Sequence, residues 1–105
     1  MNTPTLRNKD LETLRRTFRR FPSVREVKLF GSRANGTAKR ASDIDLAVYA
    51  PEASVREWSN IREAIEETPI IHEFDIVRPE VTTSARLLEK IERDGITIYP
   101  EISGK

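Results

Sequence analysis

A small mixed β-sheet flanked by helices, an α/β (α+β) fold, is what three features of this 105-residue chain predict. Apolar residues recur at helical three-to-four spacing in some stretches and alternate with polar ones in others. The two kinds of stretch are interleaved, in the order helix, strand, loop, strand, helix, strand, helix, strand. The length suits a single domain over residues 1–105, large enough to bury one modest core.

Each element has its own signals. From Asn8 to Arg20, the residues Leu11, Leu14 and Phe18, with Phe21 just beyond, fall on one helical face. Arg15, Arg16, Arg19 and Arg20 take the other positions, which reads as a solvated basic stripe, and Pro22 is the stop. Val24 to Phe30 reads as a strand with Val27 and Leu29 on one face, ended by Gly31. The run GSRANGTAKRAS is rich in small and turn-forming residues and reads as a loop with room for one helical turn. Asp43 to Tyr49 alternates, with Ile44, Leu46 and Val48 on one side and both aspartates on the other. Ser54 to Glu67 repeats Val55, Trp58, Ile61 and Ile65 at helical spacing, which predicts core packing, and Pro69 closes it. Ile70 to Val77 is a third strand. Thr82 or Thr83 is the expected cap of a last helix that runs to Arg93 with Leu88 and Ile91 inward. Gly95 stops it, Ile96 to Tyr99 adds a short edge strand, and Ser103-Gly104-Lys105 reads as a loose tail.

Composition narrows the chemistry. There is no cysteine and one histidine, which removes disulfides, thiolate nucleophiles and thiolate or poly-histidine metal sites. No apolar run is long enough to span a membrane, and the opening MNTPTLRNKD has no apolar stretch of a secretory signal, so a cytoplasmic protein without a membrane partner is expected. The net charge of +1 hides a polar distribution: residues 1–40 hold 11 Lys and Arg against 3 Asp and Glu, and residues 41–105 hold 7 against 14. Such halves suit a polyanion beside the first and cations or a basic partner beside the second, or simply two solvated faces.

The carboxylates carry the clearest chemical signal. Side chains two apart on a strand point the same way, so Asp43 and Asp45 should project together. A bare Asp-x-Asp also occurs at soluble strand edges, but Asp75 adds a third acid inside the apolar run Phe74-Asp75-Ile76-Val77. If the two strands are neighbours, three carboxylates converge at one sheet end, a set of oxygen ligands that suits Mg²⁺ or Mn²⁺ and not Zn²⁺. Gly31 and Ser32, after a strand, allow close backbone approach and offer a hydroxyl to a phosphate. Arg33, Lys39 and Arg40 in the same loop could neutralise phosphate charge. His72 shares the alternation of Phe74, away from the acids, and reads as structural or superficial. Ser42 reads as a hydroxyl leading into the strand, outside the set of metal ligands.

The stretch Gly31 to Val48, GSRANGTAKRASDIDLAV, resembles the signature of nucleotidyltransferases in the DNA polymerase beta superfamily. That signature is a glycine-serine pair, about ten residues, an Asp-x-Asp, and a third acid on a later strand. The short length and element order look like the minimal nucleotidyltransferases, whose fold is similar to a polymerase beta palm. Asn35 departs from the pattern, because many relatives carry a second arginine there.

The resemblance implies that Asp43 and Asp45 bridge two Mg²⁺ ions, with Mn²⁺ as the alternative, and that Asp75 completes one ion and accepts the attacking hydroxyl's proton. It implies that Gly31, Ser32 and Arg33 hold the nucleotide. The implied activity is transfer of AMP from ATP to a hydroxyl. With no second domain to hold an acceptor, the implied partner is a HEPN-domain toxin modified on tyrosine, which would make the chain the antitoxin of a type VII-like pair. Two alternatives stand beside it: an antitoxin that neutralises by binding alone, and a transferase directed at a nucleic acid or a small molecule. A nucleic-acid acceptor is the weaker of these, because the basic stripe has no aromatic stacking set. Base preference, the number of nucleotides added and oligomeric state are not written in the sequence.

Overall fold

The computed structural model of the chain describes residues 6–38 and 42–101. Lys39, Arg40 and the tail Ser103-Gly104-Lys105, singled out above, lie outside the described residues. In chain order the elements are α1 (Asn8–Arg19), β1 (Glu26–Phe30), α2 (Ser32–Asn35), β2 (Ile44–Tyr49), α3 (Val55–Glu66), β3 (Phe74–Val77), α4 (Ala85–Asp94) and β4 (Ile96–Tyr99). The expected order holds throughout.

The strands form one four-stranded sheet in the order β3-β2-β1-β4. β1 runs antiparallel to both β2 and β4, whereas β2 and β3 are parallel, joined by α3 as the crossover. The sheet is therefore mixed, as the sequence predicts. Alternation sorts its two faces. Val27, Leu29, Ile44, Leu46 and Val48 are fully buried on one face. They pack with Leu14 and Phe18 of α1 and with Ile61 and Ile65 of α3 in the main core. On the other face Phe30 and Ala47 are covered by Ile91 of α4, with Tyr49, Val77 and Leu87 around them. That second layer is thin, so α4 depends on a few apolar contacts for its place.

Several details differ from expectation. Leu88 was expected inward but is 39% exposed, and Leu87 packs in its stead beside Ile91. The cap of α4 is Ser84, whose hydroxyl accepts the Leu87 amide at 3.2 Å; Thr82 and Thr83 precede the helix. Three candidate hydroxyls in three consecutive residues leave the choice to tertiary geometry. Val55, expected on the packed face, is 84% exposed at the first position of α3, next to the cap Ser54. β3 begins at Phe74, four residues later than expected; Ile70 joins the core without strand pairing and Ile71 is exposed. Trp58 packs against the main core as expected, though only partly buried, with the Arg78 guanidinium over its ring at 5.1 Å. The basic stripe is not uniformly solvated either: Arg15 Nε donates to the Ile98 carbonyl at 2.8 Å and ties α1 to β4. In that case a long cationic side chain lies along the surface it helps to cover.

Candidate active site

β1 ends at the same end of the sheet where β2 and β3 begin, and the three acids gather there. Asp45 and Asp75 are register partners across the parallel pair, and Phe30, the last residue of β1, is the partner of Asp45 on its other side. Since register partners share a face, both carboxylates lie on the α4 side of the sheet. Asp43 is exposed just before β2 begins, one residue outside the strand expected for it. The link is drawn tight by the Ile44 amide, which donates to the Glu73 carbonyl at 2.9 Å.

Burial comes first among the influences that hold the Asp45 carboxyl above the ordinary aspartate range, and the charge of Asp75 is second. Lys90 pulls it down, Asp43 pushes it up, and Arg33 pulls it down more weakly. Carboxylates crowded this way favour a cation among them. The chemistry fits a hard divalent ion, with oxygen donors and no thiolate or imidazole cluster. Among the described residues no three Asp, Glu or His side chains already stand within reach of one common ion. The acids thus share the sheet end without converging on a point as the sequence suggested, and the exposed Asp43 and Asp75 have room to turn their rotamers.

Gly31 forms the floor. Its φ of 76° lies in the left-handed region, and a Cβ built on it would collide with the Asp45 carboxylate. The missing side chain therefore serves both the turn and the acid beside it. Gly31→Ala should lose at least about 1 kcal/mol of stability from backbone strain alone, and should also displace Asp45. Chemical denaturation with and without Mg²⁺-ATP would check both effects; a variant as stable and as responsive as wild type would contradict this account of the floor.

Ser32 opens α2, a single helical turn, and is partly exposed. Arg33 is drawn inward. It is 6% exposed, and its Nε and Nη2 donate to the Ser42 carbonyl at 3.1 and 2.8 Å. Nη2 also lies 3.3 Å from His72 Nδ1. His72, expected to be structural or superficial, is thus tied to the lead-in of both acid-bearing strands.

Two contributions escaped the sequence. Lys90 of α4 lies near enough to lower the pKa of Asp45. Nothing in helical periodicity marks this exposed lysine, the one lysine of α4, as facing a distant strand. Asn35, noted only as a departure, closes its turn: its Oδ1 accepts the Thr37 amide at 3.1 Å and the Thr37 hydroxyl at 2.6 Å. Asp94, at the end of α4, is held below the ordinary carboxylate range first by its hydrogen bond with Arg93, and the Asn35 side chain adds a smaller pull in the same direction.

Comparison with known proteins places this geometry. Several crystal structures share the fold. One is a toxin–antitoxin complex with AMP-PNP (TM-score 0.69, 23% identity, covering 85% of this chain and 72% of that one). Another is a tri-AMPylated Shewanella oneidensis HEPN toxin in complex with an MNT antitoxin (TM-score 0.66, 18% identity, 90% and 72% covered). A third is the toxin–antitoxin pair MntA–HepT (TM-score 0.59, 19% identity, 89% and 72% covered). No curated protein sequence matches the chain. The family profile "Polymerase beta, Nucleotidyltransferase" matches residues 12–102, a span that includes the glycine floor, the Asp-x-Asp of β2 and the acid of β3. A mixed sheet with that span across all its strands makes the chain a member of the polymerase beta nucleotidyltransferase family.

Proposed function

We propose that the protein transfers AMP from ATP to a hydroxyl of a partner protein, a tyrosine of a HEPN-type toxin, and so acts as an antitoxin. The observation that carries the reading is the pairing of Asp45 with Asp75 beside the bare Gly31, with Asp43 at the head of the same strand. Fold neighbours that are toxin–antitoxin complexes, one with AMP-PNP and one with an AMPylated HEPN toxin, support the partner and the donor nucleotide.

In this reading Asp43 and Asp45 would hold two Mg²⁺ ions, or Mn²⁺ in their place, and Asp75 would complete one of the two sites. When bound, such ions supply charge stabilisation to the attacking oxygen and the pyrophosphate leaving group in an in-line displacement at the α-phosphorus. The chain's own residues do the rest. Gly31 lets the nucleotide approach the backbone, and the Ser32 hydroxyl donates to its outer phosphates. Asp75, exposed at the strand edge, takes the proton of the incoming hydroxyl. Lys90 offsets part of the negative charge around Asp45.

Ser32→Ala removes one charge-assisted hydrogen bond, a loss of about 1.5–3 kcal/mol. ATP binding by that variant should weaken by about tenfold or more while its melting temperature without ligand stays near wild type. Unchanged ATP affinity would remove Ser32 from the phosphate site. The function itself is tested by intact-mass spectrometry of a co-expressed HEPN partner. Gain of whole AMP residues is expected with wild type and none with Asp43→Asn. A partner neutralised but unmodified by both would leave binding alone as the mechanism.

A further inference from the structure

We propose that Arg33 and His72 form a positioning strap that sets Asp43 against Asp75, so that Arg33 acts through the acids and not as a phosphate ligand. This extends the function proposed above and rests on it only where transfer is measured. Arg33 is buried at α2, immediately after the Gly31-Ser32 pair. Its guanidinium reaches the Ser42 carbonyl, the residue before Asp43, through both Nε and Nη2. The same Nη2 meets His72 Nδ1, two residues before β3 begins and three before Asp75. One planar, always-charged group thus touches the loop that follows β1 and the segments leading into β2 and β3. A lysine could not span all of them, because it offers a point charge where this site uses a fork.

The chemistry also fixes the histidine. A guanidinium only donates, so His72 must present an unprotonated Nδ1 and carry its proton on Nε2. The strap lies next to the Ile44–Glu73 backbone bond, which is the first link of the β2–β3 pair; Asp43 precedes that link and Asp75 lies two register steps further along. Loosening the strap should therefore let Asp43 and Asp75 drift while the hydrophobic core, most of which lies further along the strands, stays closed.

The experiment compares His72→Leu, His72→Asn and Arg33→Lys, alone and with Arg33→Lys combined with His72→Leu. Asparagine is chosen because its Oδ1 can occupy the place of the histidine Nδ1 as an acceptor. The first readout needs neither metal nor nucleotide: amide hydrogen exchange at Ile44 relative to Leu46. His72→Leu should speed exchange at Ile44 by about tenfold, the loss of one hydrogen bond to a charged group, and His72→Asn should return it to near the wild-type rate. The second readout is AMP transfer. His72→Leu and Arg33→Lys should each lower kcat by about tenfold with KM for ATP little changed, and the double variant should be no worse than Arg33→Lys alone.

Wild-type exchange at Ile44 in His72→Leu, or equal losses in the leucine and asparagine variants, would overturn the strap. A rise in KM for ATP in Arg33→Lys with no effect of His72→Leu would return Arg33 to the phosphates. If wild type transfers nothing, the proposed function falls, and the strap is decided by exchange at Ile44 alone.

Discussion

Asp45→Asn should stabilise the protein without metal and remove most of the stabilisation that Mg²⁺-ATP gives. The sign follows from the raised pKa of Asp45, caused first by burial and then by the charge of Asp75. An acid whose folded pKa lies above its unfolded value binds more protons in the folded state. Folding stability therefore falls as pH rises from the ordinary aspartate value, 3.8, through the raised one. Above that interval the ionised carboxylate opposes folding, and asparagine relieves it. In EDTA near neutral pH the variant should melt above wild type, and the difference should vanish on acidification below the aspartate range. With Mg²⁺-ATP the order reverses. Ligand at a hundred times its Kd stabilises a native state by about 2.7 kcal/mol, which for a domain of this size is a melting shift on the order of 10 °C. Thermal melts at several pH values check both halves. A variant that is destabilised in EDTA, or that gains as much from Mg²⁺-ATP as wild type, would contradict the placement of Asp45.

Asp75→Asn should separate chemistry from binding. Asp75 is exposed on β3 and pairs by register with Asp45. Its replacement by a near-isosteric amide should leave the fold and the partner surface intact. A base must lie within about 3 Å of the proton it accepts, and an amide cannot accept it. Loss of a general base commonly costs about 10²–10⁴-fold in rate, and loss of a ligand to one ion adds to that. Co-purification of the variant with its partner, followed by the rate of AMP incorporation, separates the two effects. Transfer at the wild-type rate would remove Asp75 from the site, and failure to bind the partner would make it an interface residue.

Much of this arrangement was legible because the signals were local. Alternation in Ile44, Leu46 and Val48 gave the strand and its face in the main core, and Asp43 and Asp45 marked the end where the acids stand. The anomaly of Asp75 in an apolar strand gave the third acid. The parallel register that sets Asp75 against Asp45 was not readable, since it depends on how α3 returns the chain to the sheet. Arg33 illustrates the same limit: an arginine in a phosphate-type loop invites a phosphate contact, yet the fold carries Ser42 and His72 to its guanidinium. Leu88 and Leu87 show it at the scale of one residue. A thin second layer buries only the narrow stripe around Ile91, and a shift of one position on α4 decides which leucine faces the sheet.

The central claim is that the acids at the head of β2 and β3 direct attack at the α-phosphorus of ATP. Two parallel incubations of wild type with its partner and Mg²⁺ test it most directly, one with ATP labelled at the α-phosphate and one with ATP labelled at the γ-phosphate. Label from the α position should appear on the partner, label from the γ position should leave as pyrophosphate, and Asp45→Asn should abolish the transfer. Incorporation of γ label, or α label that persists in Asp45→Asn, would contradict the account.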